Sequence, residues 1–240
     1  MLSSSPDIEI QPPAVVPPWG AWLEAYLKGN EEAFAQLVHG TTPLVMAAAL
    51  RRCGGRHALA QEAAQITFVD LARRAPSLRA DATLLGWLHQ RAARAAGDLM
   101  KTEQRRAVRE QLAAEGTGSV YSLDDNPGST RWENYREEVD AALARLKLEE
   151  HTAILLRCAE GLEFEAVGTA LGCSAEAARK KVGRALEKVR ASLARHRTGI
   201  SALVVARGLA ADHAMAASGV GGAGVKVLAA EFARTALATA

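Results

Sequence analysis

The feature that most constrains this chain is a helix-turn-helix pattern in residues 162–186. A short segment with helical apolar spacing ends at Leu171, Gly172 can turn the backbone, and Ser174 can cap the next helix. The helix that follows is rich in lysine and arginine. A short helix, a turn with glycine and a basic second helix are typical of domains whose second helix enters the major groove. The pattern therefore predicts a DNA-binding domain.

The composition predicts helices along most of the 240 residues, because alanine is abundant and β-branched residues are few. Apolar periodicity predicts four helices in residues 19–110 and a further helical domain, containing the helix-turn-helix, in residues 132–197. Residues 111–131 are rich in glycine, serine and aspartate, as flexible linkers are. We therefore expect an all-α fold with two small helical domains joined by a flexible linker.

The two ends of the chain differ from these domains. Residues 1–18 contain prolines and acids but no basic or apolar segment, which predicts a disordered leader and not a signal peptide. Residues 198–240 are rich in alanine and glycine and predict a weakly amphipathic C-terminal tail. Charges interrupt this tail before it reaches the ~18 apolar residues that span a bilayer. We expect no stable membrane insertion and a cytoplasmic protein.

Other classes of site find little support in the sequence. The three cysteines are widely spaced and form no Cys-x-x-Cys pair, so we expect reduced thiols and neither disulfides nor a zinc site. No paired carboxylates, nucleophile–base set or phosphate loop is recognisable, so we expect no catalytic residue, metal or cofactor. The net charge is only +2, so a nucleic-acid surface requires local clustering of cations.

Such a cluster lies in residues 174–197, which hold eight lysines and arginines and two acids, a local charge of +6. Arginine can pair bidentately with guanine, whereas lysine acts more as a point charge on phosphate. Gly183 would permit a close approach of the backbone. A solvated charged helix is the alternative interpretation. The candidate DNA-binding residues of this domain are Arg157, Ser174, Arg179, Lys180, Gly183 and Arg184.

The fourth predicted helix carries a second group of cations, with a tryptophan at its start. Cations interleaved with an aromatic residue suit a surface that follows phosphates and stabilises unpaired bases, although Trp87 fits the core equally well. The candidates on this helix are Trp87, Arg91, Arg94, Lys101, Arg105 and Arg106.

The third predicted helix, residues 57–75, has a polar and mildly acidic face beside apolar residues. Such a face suits protein binding, and a plain solvated face would show the same spacing. The candidate protein-binding residues are Gln61, Glu62, Gln65, Phe68 and Asp70.

Four segments in order resemble motifs of bacterial sigma factors of the extracytoplasmic-function type, in the sigma-70 family. Residues 28–34 (Lys-Gly-Asn-Glu-Glu-Ala-Phe) resemble the opening of that family's first conserved region. Residues 59–69 are similar to its polymerase-binding helix, and residues 87–94 to the start of its promoter-melting helix. Residues 155–157, followed by the helix-turn-helix, resemble its domain that reads the −35 promoter element.

The resemblance implies a protein that binds core RNA polymerase and directs promoter recognition and transcription initiation. Residues 19–110 would form a region-2-like domain, whose candidate protein-binding residues dock on the β′ clamp helices and whose fourth helix binds the −10 element. Residues 132–197 would form a region-4-like domain that reads the −35 element and contacts the β flap. Residues 198–240 would be a C-terminal extension. Promoter DNA and an anti-sigma factor are further partners that the resemblance suggests.

Two other classes fit part of the sequence. A helix-turn-helix regulator with a helical sensing or dimerisation domain explains residues 132–197 but not the order of the motifs before them. A helical enzyme would need a catalytic set that the sequence does not display. Transcription that starts at a defined site only when core polymerase and this chain are both present separates a sigma factor from a regulator.

Overall fold

The computed structural model describes residues 17–78, 81, 83–114, 135–194, 201–219 and 222–239, which are helical and contain no strand. The first domain has α1 (Trp19–Leu27), α2 (Glu31–Arg52), α3 (His57–Arg74), a 3-10 turn (Ala75–Ser77) and α4 (Thr83–Ala114). The second has α5 (Arg136–Ala144), α6 (Leu148–Ile154), a π-helical turn (Leu155–Ala159), α7 (Phe164–Ala170) and α8 (Ala175–Ala194). Two more helices follow, α9 (Ala202–Gly219) and α10 (Gly222–Thr239). The all-α prediction is confirmed.

Local sequence signals set the ends of the helices in the first domain. The Asn30 side chain accepts a hydrogen bond from the Ala33 N–H at 3.1 Å and so caps α2. Gly54 and Gly55 adopt positive φ angles of 59° and 80° and end that helix. The Asp81 carboxylate accepts from the Thr83 N–H at 2.8 Å at the start of α4. Each of these signals acts within a few residues and can be recognised in the sequence itself.

The helix α2 is the centre of the main hydrophobic core. It contacts α1, α3, α4, α9 and α10, and its residues Phe34, Leu37 and Met46 are completely buried. It is also the one helix in the described part of the chain that is long and apolar enough to cross a membrane. In this fold 67% of its most apolar window is buried inside the protein, as a core helix requires.

The two domains lie directly against each other. A Cβ atom added at Gly86 of α4 would lie 2.6 Å from the Thr152 hydroxyl and 2.9 Å from a Leu148 methyl carbon on α6, so a glycine allows this close contact. Beside it the rings of His89 and His151 meet edge to face, 4.8 Å apart. Most of the predicted linker lies outside the described residues, but α4 continues through its first four residues.

The structure shows two helices in residues 198–240, which the sequence predicted only as a weakly amphipathic tail. Helices α9 and α10, hereafter the C-terminal helix pair, pack on the folded domains. Alanine favours helix formation, and the few larger apolar residues recur at helical spacing on the buried sides. The residues buried there are Val205, Leu209, Ala216, Ala229, Phe232, Ala233 and Ala236.

Candidate nucleic-acid interface

The helices α7 and α8 form the predicted helix-turn-helix. Between them Gly172 has a φ of +64°, and the Ser174 hydroxyl accepts from the Ala177 N–H at 3.2 Å to cap α8. A Cβ atom added at Gly168 would lie 2.6 Å from the Cys173 carbonyl oxygen. A glycine at this position of α7 therefore lets that helix pack directly against the turn.

One side of α8 is buried and the other faces outward. Ala178, Val182 and Val189, which recur at helical spacing, are buried. The opposite side presents the candidate DNA-binding residues Arg179, Lys180, Gly183 and Arg184, all of them exposed. The first half of α8 thus offers a basic surface next to the exposed Ser174, with Glu176 as its one exposed acid.

The structure brings two of the candidate arginines together on an aromatic ring. The guanidinium carbons of Arg157 and Arg179 lie 5.1 Å and 4.8 Å from the centre of the Phe164 ring, within cation–π range. Arg157 is half-buried and also donates to the Leu162 carbonyl at 3.2 Å, so it braces the entrance to α7. Sequence reasoning missed Phe164 as a member of the site, because only the fold brings Arg157 and Arg179 to the same ring.

Ion pairs divide the cations of α8 into two groups. The ammonium groups of Lys181 and Lys188 lie 2.8 Å and 2.5 Å from the carboxylates of Glu149 and Glu150 on α6. Lys180 pairs with Glu176 within α8 at 2.6 Å. Arg179 and Arg184 have no carboxylate partner among the described residues, so no ion pair there neutralises their charges, although the Arg184 Nε donates to the Lys180 carbonyl at 3.3 Å.

The candidate residues of α4 lie at two places along the helix. Trp87, Arg91 and Arg94 line a groove of about 260 Å³, where Arg91 pairs with the carboxylate of Asp70 on α3. Trp87 is half-buried, and its side chain both packs against the hydrophobic core and lines the groove. Further along the helix the side chains of Lys101, Arg105 and Arg106 are exposed.

The candidate protein-binding face of α3 is largely covered. Glu62 is exposed, whereas Gln61, Gln65 and Asp70 are half-buried. Phe68 is completely buried, and its ring centre lies 5.6 Å from that of Phe232 on α10. In this arrangement the C-terminal helix pair makes Phe68 part of the core, so the contact of Phe68 with a partner stays a prediction that requires α10 to move away.

A buried group of charges, here named the ion cluster, joins three parts of the chain. Arg51 of α2 donates to Asp140 of α5 at 2.6 Å and to Asp212 of α9 at 3.2 Å. Arg136 of α5 donates to the second oxygen of Asp212 at 3.0 Å. Sequence reasoning missed these residues, since each was one charge on a helix face and its partner lay far along the chain.

Titratable groups near the ion cluster have shifted pKa values. Burial, together with the nearby Arg51 charge, lowers the pKa of His151 to about 3. Burial, with the charges of His151 and Arg51, also lowers the pKa of His89 well below its usual range. Burial raises the pKa of Glu160, at the end of the π-helical turn, to about 7. Both histidines are therefore neutral near pH 7.

A helical domain with a cationic helix, packed on a helix-turn-helix domain with an exposed basic surface, defines a two-domain helical DNA-binding protein. Comparison with known families agrees with this class. Residues 37–106 match the family described as Sigma-70 region 2, and residues 136–189 match Sigma-70, region 4. The C-terminal helix pair lies beyond both matched segments.

Individual relatives point the same way. The RNA polymerase sigma factor CarQ of Myxococcus xanthus is 31% identical over 170 residues, which cover 70% of this chain and 93% of CarQ. The ECF RNA polymerase sigma factor SigE of Mycolicibacterium smegmatis is 28% identical over 67% of this chain and 62% of SigE. A similar chain occurs in the co-crystal structure of the sigma factor RpoE in complex with the anti-sigma factor NepR from Bartonella quintana. The two chains are 21% identical, and the match covers 67% of this chain and 96% of that chain. The TM-score is 0.29, so no argument is based on this likeness.

The chain belongs to the sigma-70 family of RNA polymerase sigma factors and is of the extracytoplasmic-function type. It is a sigma factor that acts with core RNA polymerase and promoter DNA in transcription initiation. The family is not an enzyme family. The order of the two regions accounts for the first domain, which the alternative of a simple helix-turn-helix regulator left unexplained.

Proposed function

We propose that this sigma factor reads the −35 element with the first half of α8. The observation that carries the proposal is the exposure of Arg179, Lys180 and Arg184 on the outward side of that helix. Residues near the start of the second helix are the ones that reach base edges in a helix-turn-helix. Arg179 and Arg184 supply bidentate donors for guanine, while Lys180 and the capped helix start at Ser174 face phosphates. Arg157 positions Arg179 through the shared ring of Phe164.

The −10 element binds along α4 in this proposal. The groove of Trp87, Arg91 and Arg94 offers an aromatic surface for an unpaired base beside two guanidinium groups. The exposed Lys101, Arg105 and Arg106 continue the positive charge along the helix and follow the phosphates. Promoter opening then derives from binding energy alone, without a covalent step, metal or cofactor.

Core polymerase contacts the polar residues of α3 in this proposal. Glu62 is exposed there, and Gln61 and Gln65 lie within one turn of it. Asp70 lies about two turns further along the same helix, where it pairs with Arg91. The β′ clamp helices are the proposed partner of this face, and the β flap is the proposed partner of the second domain. The functional units are residues 19–110 and residues 132–197 of a protein that works in the cytoplasm, and an anti-sigma factor is a proposed further partner.

Run-off transcription with purified core polymerase tests this function. DNA fragments from the source genome that the reconstituted holoenzyme enriches would serve as templates. We expect transcripts that start at defined sites only when core polymerase and this chain are both present. Specific DNA binding by the chain without core polymerase, together with no defined transcript, would contradict the proposal and favour a helix-turn-helix regulator.

A further inference from the structure

The C-terminal helix pair contacts both domains at once. Helix α9 packs against α2 in the first domain and against α8 and the π-helical turn in the second, whereas α10 packs along α2 and α3. Val205 and Leu209 of α9 are buried with Val189 and Leu193 of α8. The pair therefore holds the two domains together as well as covering one of them.

The part of the first domain that α10 covers includes the helix proposed to meet core polymerase. Phe232 lies on Phe68, and Ala229, Ala233 and Ala236 are buried in the same cluster. At the far end of α10 the exposed Arg73 of α3 donates two hydrogen bonds to the Thr239 carbonyl, at 3.1 Å and 2.7 Å. Contacts in the second half of α3 thus tie α10 to it.

The ion cluster holds α9 against both domains. Asp212 of α9 bonds to Arg51 of the first domain and to Arg136 of the second, and its side chain is almost completely buried. Removing one partner from a buried ion pair leaves an uncompensated charge, which is strongly unfavourable. The arrangement with α9 in place is therefore the one in which the charge of Arg51 is best compensated.

We propose that the face formed by α2 and α3 is a shared binding surface, occupied by α10 in the free chain and by core polymerase once α10 has been displaced. This inference rests on the proposed role of α3 in polymerase binding. The C-terminal helix pair is then a competitor within the same chain. The apparent dissociation constant for core polymerase equals the intrinsic constant divided by the fraction of molecules in which α10 is released.

The geometry of a promoter supports a state in which the domains separate. The −10 and −35 elements are about 25 base pairs apart, which at roughly 3.4 Å each is about 85 Å. Two domains of this size in contact have centres only about 30 Å apart. The roughly 20 residues between α4 and α5 could extend to about 70 Å, so their length allows the domains to separate along the DNA.

The test compares the affinity of full-length variants for purified core polymerase. Phe232→Ala removes the ring that covers Phe68, and Arg73→Ala removes the two bonds to Thr239 without leaving a cavity. We expect Phe232→Ala to tighten binding on the order of tenfold and Arg73→Ala to tighten it several-fold, because each raises the released fraction. Val227→Ala and Arg234→Ala, exposed positions on α10, are the matched controls and should leave the affinity unchanged.

Hydrogen exchange gives a second readout that does not depend on a variant folding. When core polymerase binds the wild-type chain, amide protection in α10 should fall while protection in α2 persists. Unchanged protection of α10 in that complex, or equal affinities for wild type, Phe232→Ala and Arg73→Ala in folded proteins, would overturn the inference and leave the proposed function standing. If neither the wild type nor any variant binds core polymerase, the proposed function itself fails, and the inference fails with it.

Discussion

Individual residues at the contact between the domains make the protein sensitive to acid. His89 and His151 are neutral inside the closed structure because burial and the Arg51 charge oppose their protonation. A histidine with a lowered pKa in the folded state takes up a proton more readily in the unfolded state, where its pKa is about 6.5. The free energy of unfolding is therefore highest above pH 6.5 and decreases as the pH falls. Glu160 has the opposite effect on the free energy of unfolding. Its pKa is raised to about 7 in the folded state, so its protonation stabilises the folded state as the pH falls below about 7.

A histidine variant separates these opposing effects. Protonation of His151 should lower the unfolding free energy of the wild type by about 2 kcal/mol between pH 7 and pH 5. We expect His151→Gln to lack this contribution. Urea unfolding of wild type and variant at both pH values measures it. The stability advantage of the wild type over His151→Gln should shrink by this amount at pH 5. An advantage that is equal at both pH values would show that His151 is not held neutral.

At the DNA-facing surface, two arginines of the same helix offer a matched comparison. Arg184 has no carboxylate partner among the described residues, whereas Arg190 pairs with Glu187 in the same helix. Arg184→Ala should weaken binding to the preferred −35 sequence by about 1–3 kcal/mol if it contacts a base bidentately. Arg190→Ala should have little effect. The measurement is holoenzyme binding to promoters with and without −35 substitutions, and unchanged selectivity in Arg184→Ala would remove its base-reading role.

Among the elements, the helix-turn-helix depends on one close backbone contact. The missing side chain of Gly168 lets α7 approach the turn, where the nearest obstacles to a Cβ atom are backbone atoms of Cys173, Ser174 and Ala175. Backbone atoms cannot rotate away as a side chain can. Position 168 therefore tolerates residues other than glycine less well than the surrounding surface positions of α7 do.

A pair of glycine variants tests this restriction. Gly168→Ala should destabilise the second domain by about 1–3 kcal/mol, the usual range for overpacking. Gly183→Ala, on the same motif with no atom within 4 Å of its added Cβ, should instead stabilise α8 by about 0.5–1 kcal/mol. Thermal unfolding followed by circular dichroism compares the two. Equal stability of both variants would contradict the close packing of α7 on the turn.

The elements also show what the sequence could predict. Asn30, Gly172 and Ser174 are local signals, since each acts within a few residues, and the ends of α2 and the turn before α8 could be predicted from them. The packing of α9 and α10 could not be predicted in this way. Their buried sides are mostly alanine, which contrasts little with the exposed sides, and Asp212 meets Arg51 across 161 positions of the chain. The burial of Phe68 could not be predicted for the same reason, because its cover lies on α10.

For the whole molecule, the contact between α4 and α6 is a point at which a single substitution can disturb the closed arrangement. Gly86→Leu should force α6 away from α4, since an added Cβ already meets Thr152 and Leu148. We expect the radius of gyration, measured by small-angle X-ray scattering, to rise by several Å from the roughly 18 Å of a compact chain of this length. Gly183→Ala is the control. An unchanged radius in Gly86→Leu would mean that the domains stay closed without this contact.

The C-terminal helix pair has a consequence for how the amount of this protein relates to its output. A separate inhibitor sets a threshold, because activity begins only when the sigma factor outnumbers it. A competitor on the same chain is always present in equal number, and its effective concentration does not fall on dilution. Doubling the number of sigma factor molecules then doubles the number in which α10 is released. The fraction that is bound to core polymerase depends on the concentration of free core polymerase.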